Sequence, residues 1–245
     1  MLIGLVILAG FIKGFVGFGL SLVLISVLIE AGIPPSQLLP ILVPLFIVLD
    51  IMLYFENRKH VTLDFKENFT LHPTTLMTLF IGLLIGTYLL TVTNVDILKL
   101  GFAFLVLIVI FFLIGKVDTH QMRIPSEKSN GFFGIITGLL TGLFTLNAAP
   151  TSIYLLFYQY PKEKYMGSLV TFIIFSDLLL VAVYLFKDLF TLSGFFTSSK
   201  LFVLVLLGFL IGSYGRRNIK GKYFKAFVIL ILALNSLKII FDYFF

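Results

Sequence analysis

The chain contains no cysteine and no tryptophan, and only 12% of its 245 residues are charged. Without cysteine it has no disulfide, thiolate nucleophile or iron–sulfur ligand. Its three histidines, His60, His72 and His120, fall in or beside polar loops. They leave too few ligands in the apolar segments for a histidine-based zinc site, so neither a metal centre nor a cofactor is expected. A Ser/His/Asp set, a His-Glu-x-x-His motif, a phosphate-binding loop on a strand and a Walker lysine are all missing. The reading is therefore neither an enzyme nor a pump carrying its own nucleotide domain.

What is present is apolar: 59% of residues are hydrophobic, and the mean hydropathy is +1.10. A soluble domain could not bury that much apolar surface, which points to an all-α polytopic membrane protein. Eight apolar segments are read at 2–30, 36–55, 73–93, 95–115, 131–159, 165–186, 198–215 and 223–244. About 20 helical residues cross the hydrocarbon core. Six segments suit that length, and the first and fifth are longer. The N-terminus lacks a basic stretch and a cleavage site, so it reads as the first membrane element and not a removable signal. The net charge of +6 is loop-borne and interspersed with acids, a matter of membrane orientation more than of nucleic-acid binding.

The chain repeats itself. Gly10, Gly14, Gly17 and Gly19 are answered by Gly138, Gly142, Thr145 and Asn147; Pro34 is answered by Pro161 and Asp50 by Asp177. Gly82-x-x-x-Gly86-Thr87-Tyr88 is answered by Gly208-x-x-x-Gly212-Ser213-Tyr214. The offset stays between 126 and 128 residues (82 to 208, 50 to 177, 14 to 142). A near-constant offset indicates duplication, with a first repeat at 1–115, a linker at 116–130 and a second repeat at 131–245. In an apolar chain, two such halves point to a transporter with its site between them.

Both long segments are interrupted near the middle, at Gly14–Gly19 and at Thr145–Pro150. Glycine is a poor helix former, and an interior proline removes a hydrogen bond. Each segment is either one tilted spanning helix or a re-entrant hairpin of two half-helices. Cytoplasmic loops carry an excess of Lys and Arg. With eight full spans the loop cations divide 8 against 8; with two hairpins only Lys99, Lys187 and Lys200 oppose the other 13. Hairpins are favoured, with basic loops cytoplasmic and both termini outside. Three spanning helices per repeat is an odd number, which inverts one half relative to the other.

These motifs, in order and twice over, resemble the sulfite exporter TauE/SafE-like membrane permeases across nearly the whole chain. The carriers of the resemblance are the early Gly-x-x-x-Gly-x-x-Gly-x-Gly at 10, 14, 17 and 19, then Gly32-Ile-Pro34-Pro35. A late Gly-x-x-x-Gly-(Thr/Ser)-Tyr precedes the last helix of each half. The resemblance implies transport of small anions, often sulfur oxyanions or organosulfonates, across a bacterial inner membrane. The family's glycine run after the break is reduced here to Gly17 and Gly19, and replaced in the second half by Thr145, Asn147, Ala148 and Ala149. Ser26-Val27-Leu28 stands where a proline is often found.

The breaks are the candidate substrate site. A half-helix starting at a break presents unpaired N–H groups and the positive end of its dipole, which suits an anion. Lys13, Gly14, Gly17, Gly19 and Ser21 belong to the first tip; Gly142, Thr145, Asn147 and Thr151 belong to the second, with Ser152 beside them. Lys13 is a cation inside an apolar segment, where it could offset substrate charge, pair with a carboxylate such as Asp50, or snorkel. Asp50 and Asp177, at matched interior positions, are candidates for coupling transport to a proton or sodium ion; the alternative is a structural role bonded to backbone. Gly82, Gly86, Gly208 and Gly212 read as helix-packing positions. The basic run Arg216, Arg217, Lys220, Lys222 and Lys225 reads as a topology determinant. The rival readings are a cation or proton-coupled exchanger built on Asp50 and Asp177, and a non-transporting membrane scaffold. Hairpin topology has a direct check. In this cysteine-free chain, a Lys162→Cys substitution should be labelled by an impermeant thiol reagent only from the cytoplasmic side; labelling from outside would exclude it.

Overall fold

The computed structural model describes residues 2–16, 20–21, 24–25, 35–57, 72–114, 127–156, 162–190 and 192–218, with 233, 237, 240–241 and 243–244 near the end of the chain. Among them the fold is all-helical. Eight helices occur in order: α1 (Leu2–Val16), α2 (Pro35–Asn57), α3 (Pro73–Val92), α4 (Val95–Ile114), α5 (Glu127–Phe144), α6 (Ala148–Leu156), α7 (Lys162–Phe186) and α8 (Leu192–Asn218). Among the described residues, three stretches are long and apolar enough to cross a membrane: Ser36–Phe55, Pro73–Val92 and Gly167–Phe186. Val6–Phe15, Ser129–Phe144 and Leu201–Gly215 are shorter apolar helices. Large apolar side chains such as Phe186, Phe111 and Met77 face outward, tolerable in lipid and a liability in water.

Local chemistry sets the helix ends. Proline opens α2 and α3, where its missing N–H costs nothing. Asn94 caps α4 by accepting the Asp96 amide at 2.8 Å. Asp188 ends α7 in the left-handed region at φ 51°, with the Leu189 amide reaching back to the Tyr184 carbonyl at 3.0 Å. Helix ends repeat at the offsets of the motifs. Helix α1 ends at Val16 and α5 at Phe144, 128 apart; α2 starts at Pro35 and α7 at Lys162, 127 apart; α3 ends at Val92 and α8 at Asn218, 126 apart.

Two compact units are present, and each draws on both sequence halves. One comprises residues 1–45, 93–116 and 191–245; the other comprises 46–92 and 117–190. In the first, α1 packs on α8. A Cβ on Gly14 would strike the Phe209 carbonyl and lie 2.8 Å from the Ser213 amide, and one on Gly212 would strike the Phe11 carbonyl. In the second, α3 packs on α5. Gly134 meets Thr75 and Thr78, Gly138 meets Leu79 and Leu83, and Gly142 meets Leu83 and Thr87. Residue numbers rise together along each seam, so both pairs run parallel. The repeated glycines at 82, 86, 208 and 212 are thus packing residues, as the spacing suggests. The early glycine helix of each half packs on the late glycine helix of the other half.

With lipid as solvent, such seams are held by close van der Waals packing and not by the hydrophobic effect. Gly138→Ala would place a methyl group 2.9 Å from the Leu83 amide, and overpacking of this kind costs about 1–3 kcal/mol. Gly101→Ala meets nothing within 4 Å and should be neutral or stabilising by up to ~1 kcal/mol. Unfolding of the two variants in detergent should separate them in that order.

Candidate functional site

Helix α5 stops in mid-segment because Thr145 adopts φ 53°. Its amide still reaches the Thr141 carbonyl at 2.8 Å, the single-bond form of a left-handed helix cap. This place is usually taken by glycine, and a β-branched residue there is strained. The first half has Gly17 at the matched position. Chain direction is reset over Thr145–Asn147, and α6 begins at Ala148 with Asn147 as its N-cap residue. Pro150 falls in the first turn, where it needs no acceptor.

The chain then folds back. The Tyr154 hydroxyl donates to Asn130 Oδ1 at 2.6 Å, and its ring stacks on Phe133 at a centroid distance of 4.1 Å. A continuous helix would hold residues 130 and 154 roughly 36 Å apart. So α5 and α6 form a hairpin with its tip at 145–147, and segment 131–159 is not one straight helix. The sequence placed this break correctly. In the first half α1 ends at Val16, and the described helical residues resume at Leu20, each 128 before its counterpart. Gly17 and Gly19 lie outside the described residues.

The tip is held at the centre of α7. Asn147 Nδ2 donates to Asp177 Oδ1 at 2.6 Å and to Ser176 Oγ at 2.7 Å, with the Ile173 carbonyl at 3.5 Å. Ser176 Oγ passes its own proton to the Ile173 carbonyl at 2.9 Å. Asn147 and Asp177 are buried, at 4% and 3% exposure. Ser176 and Asp177 are the two central residues of the 20-residue apolar stretch Gly167–Phe186. The turn therefore sits at mid-depth of that stretch, with a carboxylate beside the positive end of α6.

The other predicted donors are mostly engaged. Thr151 Oγ1 donates to the Asn147 carbonyl at 2.6 Å, and Thr145 Oγ1 to that of Phe144 at 2.6 Å. The first-turn amides of Ala148 and Ala149 have no intrahelical acceptor, and both residues are buried. Ser152, Ser168, Thr75, Thr87, Thr137 and Tyr184, all in the same unit, have buried hydroxyl oxygens without a hydrogen-bond partner among the described residues. Each can serve a passing polar solute or water.

The remaining candidates are placed as follows. Lys13 is buried in the last turn of α1, where a cation complements the helix dipole. Ser21 is half-buried, and Asp50 is buried on α2. Gly14 lies in the α1–α8 seam and Gly142 in the α3–α5 seam. The sequence reading assigned Asn147 to substrate and Asp177 to coupling as separate groups; the structure joins them. It also adds Ser176, Tyr154 and Asn130, which sequence reading missed. A polar residue next to Asp177 in an apolar run was the available signal for Ser176. Nothing in the linear order pairs Tyr154 with Asn130.

A broken helix reversing beside the centre of a long apolar helix is the architecture of a membrane-embedded protein. The chain matches the family described as sulfite exporter TauE/SafE over residues 2–239, and it belongs to that family of membrane transporters. No match is found among curated proteins or among solved structures.

The left-handed residue at the tip yields a prediction. Thr145→Gly should keep the hairpin and raise stability by about 1 kcal/mol, the typical relief of left-handed strain. Thr145→Ile should lower it. Detergent unfolding of both variants measures the difference.

Proposed function

We propose that the protein is a secondary transporter, acting as an exporter of small anions such as sulfite or organosulfonates across the plasma membrane. The anion is held at hairpin tips near the midplane. The observation that carries this reading is the α5–α6 turn, whose Asn147 reaches the central residues of an apolar span. Family membership supports the substrate class. The matched helix ends support a corresponding first tip built from Gly14, Gly17, Gly19 and Ser21, with Lys13 offsetting substrate charge. Donors available to an oxyanion at the second tip are the Ala148 and Ala149 amides, Asn147 and Ser152. Gly142, Thr145 and Thr151 shape the turn.

The repeats at 1–115 and 131–245 are inverted in this reading, with basic loops cytoplasmic and both termini outside. Asp50 and Asp177 supply the sites for a coupling proton or sodium ion. No cofactor takes part.

A ligand that binds only the folded state raises its unfolding temperature; at a concentration of 100 Kd it adds about 2.7 kcal/mol. Detergent-purified protein, unfolded at matched ionic strength with sulfite, sulfate, thiosulfate, sulfoacetate, taurine, lactate, sodium or calcium, should be stabilised by a sulfur anion. Asn147→Ala should lose that stabilisation and the corresponding flux in proteoliposomes. Stabilisation by cations alone would replace the anion reading with a cation exchanger.

A further inference from the structure

The donor offered to substrate is already occupied. Asn147 Nδ2 has two hydrogens, and both face acceptors on α7: Asp177 Oδ1 at 2.6 Å and Ser176 Oγ at 2.7 Å. An ionised carboxylate is a strong acceptor, and with Asn147 as the N-cap residue it stands beside the start of α6. That is the place a substrate anion would take. Two negative charges at one buried tip repel strongly, because little water screens them.

We infer that the anion and a proton bind together: Asp177 takes up a proton as the substrate anion displaces its carboxylate from the Asn147 amide. This rests on the anion-transport reading above. The exchange conserves charge at the tip. Before it, one negative charge sits on Asp177; after it, one sits on the substrate and the carboxyl is neutral. The proton adds to a carboxylate oxygen and comes from water, so no other reactant is needed. Protonated, the carboxyl gains an O–H donor and, as a weaker neutral acceptor, yields the amide to the charged anion.

The groups around Asp177 fit this assignment. Helices α3, α5 and α6 pack against α7. Helix α3 carries one titratable residue, the exposed Tyr88; α5 carries Glu127 and Lys128 in its first turn; α6 carries Tyr154, bonded to Asn130. Helix α7 itself has Lys162, Glu163, Lys164 and Tyr165 at its start, and the buried Tyr184 toward its end. The unit's other interior carboxylate, Asp50, is on α2. Glycine stands in the first half where Asn147 stands in the second, and Leu49 where Ser176 stands. The amide-for-anion exchange thus belongs to Asp177.

Methanesulfonate is a suitable probe because its charge does not titrate over roughly pH 5 to 8, so any proton taken up is the protein's. In weakly buffered detergent solution with a pH dye, wild type should take up about one proton per anion bound, and affinity should fall about tenfold per pH unit once the carboxylate is ionised. Asp177→Asn should bind the anion with no proton uptake and a flat pH profile. Anion binding to wild type without uptake, or undiminished uptake in Asp177→Asn, overturns the exchange while the transport reading stands. No binding of methanesulfonate, sulfite or sulfate to wild type overturns the transport reading and the exchange with it. Should Asp177→Asn fail to fold, infrared difference spectra of wild type decide: anion addition must raise a protonated-carboxyl band, and its absence overturns the exchange.

Discussion

No water reaches the middle of a hydrocarbon layer to hydrogen-bond a broken helix, so a chain that reverses there must satisfy its own backbone. The turn at Thr145–Asn147 meets that constraint in several ways. The left-handed cap returns the Thr145 amide to α5, and the Leu146 amide reaches the Leu140 carbonyl at 3.3 Å. The Asn147 carbonyl accepts from the Thr151 amide and hydroxyl, and Pro150 removes one donor that would otherwise need a partner. Two first-turn amides remain. The start of a helix attracts negative charge, and here the Asp177 carboxylate lies beside it.

Holding that turn in place demands rigid neighbours, which glycine provides. Backbone-to-backbone contact along α3–α5 leaves no room for a Cβ at Gly82, Gly86, Gly134, Gly138 or Gly142. The α5 arm of the hairpin is thereby fixed along its length, and the α6 arm is pinned to it by Tyr154 on Asn130 and Phe133. With both arms fixed, Asn147 is delivered to Ser176 and Asp177 without depending on a flexible loop. Placing the amide on a braced turn is what pre-organises it for its acceptors.

Much of this was legible in the residues. The break in the second half and the packing role of the late glycines follow from spacing and propensity, because both are local properties of the chain. The charge asymmetry of the loops also favoured hairpins over continuous helices, and the Tyr154–Asn130 contact agrees for the second half. Partnership was not legible. Sequence alone paired each glycine helix with nothing in particular, whereas α1 joins α8 and α5 joins α3, each across the duplication. Likewise Asn147 and Asp177, 30 residues apart, were assigned separate tasks, since no periodicity links a loop residue to a mid-helix carboxylate. Both omissions have one cause: lateral packing in lipid is decided by steric fit between helices, which composition does not encode.

The sequence difference between the two halves at matched positions is itself informative. If a turn were the only requirement, glycine would serve at Thr145 and Asn147 too, the positions matched to Gly17 and Gly19 in the sequence. The second half instead keeps a β-branched residue in a left-handed conformation at Thr145 and places an amide at Asn147. Strain persists only where the surroundings over-determine it, and it gathers at working sites. Here the surroundings are the Thr141 cap and the Asn147–Asp177 contact on either side of the strained residue. At three matched positions the two sequence halves differ, Gly17 against Thr145, Gly19 against Asn147 and Leu49 against Ser176, and in the second half these residues make the turn a hydrogen-bonding centre.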